Sequence, residues 1–122
     1  MLTAKKVIAV IDDDEIMLEA LEQLLASLGY QTELYESAEA FIEAAPKSEA
    51  ACLLVDIHLG DISGIELGRQ LSGMDFTFPI IFMTGSDDNF VRKQAMELGC
   101  IAFLQKPFRD NEIAKAITDA IG

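Results

Sequence analysis

Ala51-Cys52-Leu53-Leu54-Val55-Asp56 is a run of five apolar residues closed by an aspartate. Apolar side chains on both alternating faces suit a strand covered on both sides, as inside a parallel sheet. The run stops at Asp56, and Ile57-His58-Leu59-Gly60-Asp61 reads as the following loop. In α/β sheets, ligands bind outside the carboxyl ends of the strands. Taken alone, Asp56 reads equally as a solvated strand end or as an acceptor fixing the next loop. Its interest comes from three other strand-like runs that also finish on reactive polar residues.

Toward the N-terminus, residues 6–11 are a short apolar run ending in Asp12-Asp13-Asp14-Glu15. A helix is predicted next, with Leu18, Leu21, Leu25 and Leu28 on one face and Leu24 widening the stripe. Acids at its start suit the positive end of a helix dipole, and Gly29 is placed as its stop. Residues 31–35 are half polar and suit an edge strand. Ser37 is expected to cap a second helix whose inner face carries Ala38, Phe41, Ile42 and Ala45. Pro46 and Lys47-Ser48-Glu49 then lead into the central run.

Beyond Asp56, a short helix carries Ile65, Leu67, Gly68 and Leu71 and breaks near Ser72-Gly73. Residues 78–84 read as a fourth strand, with Pro79 at its opening, where a missing N–H is tolerable, and Thr84 at its end. Asp87 or Asp88 is expected to cap a helix running to Leu98 and closed by Gly99. Residues 101–105 form the fifth strand, followed by Lys106-Pro107. Asp110 or Asn111 is expected to cap the last helix, with Ile113, Ile117 and Ile121 on one stripe.

Five strands alternating with five helices, without linker or repeat, predict one α/β domain over residues 1–122. Crossovers of this kind are right-handed and give a parallel sheet with helices on both faces. The most polar strand belongs at an edge and the most apolar one inside, so the expected fold is flavodoxin-like: a doubly wound (βα)5 sheet of order 2-1-3-4-5. Its switch point lies between strands one and three, where Asp12, Asp13 and Asp56 would meet.

Composition narrows the function. The hydrophobic fraction is 51%, too high for a disordered chain, and no apolar run approaches the roughly 18 residues of a membrane span. Met1-Leu2-Thr3-Ala4-Lys5-Lys6 leads directly into strand-like sequence, so no signal peptide is expected and the cytoplasm is the default location. Net charge is −12, from 21 acids and nine bases. That argues against direct binding of nucleic acid or an anionic membrane, both of which reward basic patches. It suits a partner with a basic surface or a bound cation, although solubility alone accounts for many of these acids. Cys52 and Cys100 form no CxxC and His58 is the only histidine. Zinc and redox motifs are therefore unsupported, and both cysteines read as small core residues in a reducing compartment.

Asp12, Asp13, Asp56, Thr84 and Lys106 all fall at strand carboxyl ends, so one crevice can hold them. Three crowded carboxylates repel, and a hard divalent cation relieves the repulsion. Mg²⁺ takes a few carboxylate oxygens and keeps open positions for a phosphate oxygen. Asp56 is then a plausible nucleophile toward phosphorus, with Lys106 and Thr84 placed to stabilise a phosphoryl group. Read singly, Thr84 is a β-branched strand end, Lys106 a solvated one, Phe103 a core aromatic and His58 an exposed loop residue.

With these residues together, the chain resembles the receiver domain of two-component response regulators over essentially its whole length. The matching features are Asp12-Asp13, Asp56 after the central strand, Thr84 after the fourth and Lys106-Pro107 after the fifth. The resemblance implies that Asp56 accepts a phosphoryl group from a histidine kinase or phosphotransfer protein, with Mg²⁺ required. It implies Asp13 and Asp56 as direct metal ligands, Asp12 partly through water, and the backbone carbonyl of His58 as a further ligand. It also implies a cis Lys106-Pro107 bond, affordable because the second residue is proline, and Thr84 and Phe103 as a switch pair. Phosphorylation would then alter the surface of the fourth helix, fifth strand and fifth helix, where a homodimer could form. The chain departs from the family at Leu59-Gly60, where Met-Pro is usual, and at Gly85, where alanine is more frequent.

Other readings begin from similar chemistry. The same module occurs in hybrid kinases and phosphorelays. An aspartate-nucleophile phosphohydrolase of the haloacid dehalogenase type needs a second acid two residues after its nucleophile, where this chain has His58. A flavodoxin-like FMN binder needs hydroxyls and amides in its first loop, where four acids would repel the phosphate.

Overall fold

Every strand is followed by a helix, and the crossovers assemble one five-stranded sheet of order β2-β1-β3-β4-β5. The structure, a computed structural model, describes residues 5–74, 77–85 and 89–121. In chain order these are β1 (Val7–Ile11), α1 (Glu15–Ser27), β2 (Gln31–Tyr35), α2 (Ala38–Ala44), a 3₁₀ turn (Ala45–Lys47), β3 (Ala50–Asp56), α3 (Gly64–Ser72), β4 (Ile80–Thr84), α4 (Asn89–Glu97), β5 (Ala102–Gln105) and α5 (Asp110–Ile121). All four strand pairings are parallel. The flavodoxin-like doubly wound fold expected from the sequence is the observed one.

The central run is buried on both faces, as its composition requires. Cys52 and Leu54 pack with Leu18, Leu21 and Leu25 of α1 and Ile113 and Ile117 of α5. Leu53 and Val55 pack against Phe41 of α2, Leu67 and Leu71 of α3 and Ala95 of α4. The half-polar strand β2 lies at one edge of the sheet, with none of its residues fully buried.

Local signals set most helix ends. Asp14 caps α1, its carboxylate accepting the N–H groups of Ile16 and Met17. Ser37 caps α2 and Ser63 caps α3 in the same way. Gly29 and Gly99 follow α1 and α4 with φ of 93° and 74°, the left-handed conformation that glycine adopts without a Cβ penalty.

Several boundaries differ from expectation. Leu28 is 40% exposed, because it caps α1 rather than continuing the buried stripe. Strand β4 begins at Ile80 rather than residue 78. Pro79 lacks an N–H but still offers its carbonyl to the Leu53 N–H at 2.9 Å. Neither Asp110 nor Asn111 caps α5, since both lie in its first turn. The cap position falls to Arg109, whose N–H donates to Glu112 Oε1 at 3.0 Å, the reciprocal half of a capping box. Asp87 and Asp88, proposed caps of α4, lie outside the described residues.

Candidate functional site

Strand register brings the polar strand ends together. Ile11 pairs with Val55, so the next residues, Asp12 and Asp56, stand side by side at the carboxyl ends of β1 and β3. Asp56 pairs with Met83, and Thr84 pairs with Gln105, which delivers Lys106 from the far edge. The Lys106 N–H donates to the Thr84 carbonyl at 2.7 Å, and the Lys106-Pro107 peptide is cis.

The Lys106 side chain turns back across these strand ends. Its Nζ lies 3.0 Å from Asp12 Oδ2 and 3.2 Å from Asp56 Oδ2. The other oxygen of each carboxylate accepts a backbone N–H. Asp14 donates to Asp12 Oδ1 at 3.0 Å, and His58 donates to Asp56 Oδ1 at 3.1 Å. Two buried acids are therefore held by the same arrangement, one amide and one shared ammonium. Asp12 is fully buried and Asp56 is 7% exposed, whereas Asp13 is exposed.

The electrostatics follow from that sharing. Burial pushes the Asp56 carboxyl above its ordinary value; the His58 N–H and Lys106 pull it down, Asp12 pushes it up, and the net shift is upward. Burial works to lower the Lys106 ammonium, but the hydrogen bond to Asp12 and the attraction of Asp56 and Asp12 outweigh it, leaving the value raised. One cation thus serves two carboxylates, and the third acid adds negative charge at the mouth.

One carboxylate oxygen from each of Asp12, Asp13 and Asp56 lies within 4.8 Å of the others. Opposite ligands of Mg²⁺ stand about 4 Å apart, so oxygens gathered this closely fit a hard divalent cation. The fit rests on oxygen donors alone, which is the donor type Mg²⁺ prefers.

The remaining sequence-predicted residues lie on β4, on the loop after β3 and on β5. Thr84 is fully buried at the end of β4. The His58 side chain is exposed, while its N–H serves Asp56. Phe103 is partly buried on β5, and the guanidinium of Arg92 on α4 stands over its ring, 5.1 Å from the centroid.

Sequence reading missed two supports. Gly64 opens α3 against the back of the site: a Cβ there would stand 2.5 Å from the Asp56 carbonyl oxygen and 2.9 Å from Ile57 Cα. Its own N–H donates to the Ile57 carbonyl at 2.9 Å. The available signal was a glycine at a helix start, where a longer side chain is normally tolerated. The second support is the burial of Ile57 and Leu59, 3% and 6% exposed, which pins the loop after Asp56 to the core. The signal in the sequence is their alternation with His58 and Gly60, which are exposed.

Comparison with known proteins gives one consistent result. The protein family described as response regulator receiver domain matches residues 8–118. The transcriptional regulatory protein FixJ of Bradyrhizobium diazoefficiens is 38% identical over 120 residues, covering 98% of this chain and 58% of that protein. The response regulator protein TodT of Pseudomonas putida is 36% identical over 115 residues, covering 94% of this chain and 51% of its own length. The chain thus spans little more than half the length of these relatives. Among solved structures, the crystal structure of FixJ-N superposes with a TM-score of 0.89 at 33% identity, covering 97% of this chain and 94% of that one. A response regulator receiver protein from Burkholderia phymatum gives 0.85 at 32% identity, covering 97% and 96%.

Proposed function

Because the chain belongs to the response regulator receiver domain family, we propose that Asp56 is its phosphoacceptor. The observation that carries this reading is the single ammonium of Lys106 held between Asp12 and Asp56. An Asp56 oxygen attacks phosphorus, the bond from phosphorus to the donor nitrogen of a phosphohistidine breaks, and an acyl phosphate forms. Lys106, already at Asp56, stays to neutralise the charge gathering on the phosphoryl oxygens, and Thr84 supplies a hydroxyl to the same group. Asp13, Asp56 and the His58 carbonyl would hold Mg²⁺ directly, with Asp12 acting through water. Bound there, Mg²⁺ would screen the phosphoryl charge as the carboxylate approaches.

A histidine kinase or phosphotransfer protein is the donor in this reading. The domain acts as a signalling phosphoacceptor that assists its own phosphorylation and dephosphorylation, not as a turnover enzyme. A cytoplasmic setting fits the dependence on such a donor; no helix among the described residues is long and apolar enough to cross a membrane. Residues 1–122 serve as one receiver domain, and a net charge of −12 disfavours direct nucleic-acid binding by it. The output surface is α4, β5 and α5, where Phe90, Met96 and Ile101 are 69%, 62% and 44% exposed. Such apolar exposure suits a partner or a phosphorylation-dependent homodimer. A phosphoryl group would bias Thr84 and, through it, the packing of Phe103.

The test is incubation with acetyl phosphate and Mg²⁺, read by intact mass. One phosphoryl group should be gained by the unmutated chain and none by Asp56→Asn. Equal labelling of that variant would mean that another carboxylate is the acceptor.

A further inference from the structure

We infer that Asp14, which touches neither Asp56 nor Lys106, is a positioning residue for this site. The inference rests on the proposed role of Asp12 in holding Mg²⁺ and Lys106. Asp14 does two things at once. Its carboxylate caps α1 by accepting the N–H groups of Ile16 at 2.9 Å and Met17 at 3.4 Å. Its own N–H donates to Asp12 Oδ1 at 3.0 Å. The Asp14 carbonyl accepts the Leu18 N–H at 3.0 Å, so the residue is fixed on both sides by the first turn of the helix.

The direction of the Asp14 N–H is therefore set by the cap, and the cap is anchored in turn by Leu18 and Leu21 in the core. Asp12 is held at the other end by its own N–H, which donates to the Tyr35 carbonyl at 3.1 Å. With Oδ1 fixed by Asp14, Oδ2 faces Lys106, and the same ammonium reaches Asp56. A short chain of contacts thus runs from a helix cap to the proposed nucleophile. Without the cap, the first turn frays and the amide at position 14 is no longer held toward Asp12. The Asp12 carboxylate can then rotate, and the share of Lys106 left to Asp56 changes.

Asn and Ser cap as well as Asp, whereas Ala does not and Gly retains most of the cap's backbone freedom without an acceptor. Asp14→Asn, Asp14→Ser and Asp14→Ala therefore separate capping from charge, and Asp14→Gly replaces the last should it fail to fold. The first readout needs no metal: hydrogen exchange of the amide at position 14, followed by ¹H–¹⁵N NMR. Protection should match the unmutated chain in Asp14→Asn and Asp14→Ser and fall about tenfold in Asp14→Ala. The second is Mg²⁺ affinity from titration of the same spectra. Loss of a group orienting a metal ligand costs about 10–100-fold, so Asp14→Ala should bind at least about tenfold more weakly. The Asn and Ser variants should stay within about twofold of the unmutated chain.

Unchanged exchange and affinity in Asp14→Ala, with only a lower melting temperature, would overturn the inference and leave a simple helix cap. Equal weakening in all three variants would also overturn it, because the lost charge would then be the cause. No Mg²⁺ response in the unmutated chain would instead sink the metal reading, and the exchange measurement would still decide whether Asp14 holds Asp12.

Discussion

The Lys106 ammonium lies 3.2 Å from Asp56 Oδ2, a contact made across fifty residues of chain. Asp12 takes the other side of the same ammonium at 3.0 Å and is fully buried. Removing the cation would leave two adjacent buried carboxylates without it. Breaking a buried pair from one side costs about 3–5 kcal/mol, and the 20% exposure of the Lys106 side chain favours the lower end. Lys106→Met should accordingly lose about 3 kcal/mol in urea unfolding without divalent ions. Adding Asp56→Asn should restore part of that loss by removing one charge. A loss below about 0.5 kcal/mol would show that the ion pair contributes little.

Mg²⁺ should stabilise the native fold by linkage. At ten times its dissociation constant the gain is about 1.4 kcal/mol, or roughly 5 °C in melting temperature for a domain of this size. Ionic-strength-matched NaCl should not reproduce it, since screening supplies no oxygen-ligated divalent ion. Because Asp13 is exposed, Asp13→Ala should change the metal-free stability by no more than about 0.5 kcal/mol while flattening the Mg²⁺ response. Superimposable melts in the two salts would remove the metal from the site.

Gly64→Ala should disturb Asp56 from behind. The added Cβ meets backbone atoms of Asp56 and Ile57 rather than a flexible side-chain end, so strand or helix has to move. Overpacking of this kind costs about 1–3 kcal/mol, and labelling by acetyl phosphate should slow more than folding alone explains. A variant as stable and as readily labelled as the unmutated chain would refute the tight packing.

Gly60→Ala should act oppositely. A Cβ there has nothing within 4 Å, and the residue does not adopt the left-handed conformation of Gly29 and Gly99. Alanine restricts the unfolded chain without native strain, a gain of about 0.4–1 kcal/mol. Chemical denaturation of the two proteins decides it, and a destabilised variant would mean that the loop uses glycine's freedom.

Burial pushes the Cys52 thiol from an ordinary 9.0 up to about 12, against an opposing effect of backbone hydrogen bonding at Leu53. The folded value exceeds the unfolded one, so the stabilisation is complete below about pH 9 and is lost as pH rises toward 12. Ellman's reagent at pH 8 should therefore leave Cys52 untouched in the native protein and modify it in guanidinium. Cys100, half buried beside Met96, should supply the only native reaction, slowly, because burial raises its thiol too. Modification of Cys52 at the unfolded rate under native conditions would contradict its place in the core.

The run 51–56 announced an inner strand, since a strand covered on both faces carries consecutive apolar side chains, and the alternation of five strand-like with five helical runs determined the fold around it. The half-polar run 31–35 likewise announced an edge. Asp12, Asp56, Thr84 and Lys106 were legible as strand-end residues, and parallel topology obliges strand ends to gather on one side. Ends of helices governed by side chains close in sequence, such as Ser37 and Gly29, were legible for the same reason: their partners lie within one turn. What only the tertiary structure decided depends on contacts between distant segments. That Lys106 divides itself between two acids, that Gly64 is needed for the approach of α3 to Asp56, and that Arg92 covers Phe103 follow from distances no local pattern encodes. The exposure of Asp13 beside the full burial of Asp12 belongs to the same class. Adjacent residues of one type differ there only because the turn held by Asp14 and Tyr35 sends one carboxylate inward and leaves the other at the surface.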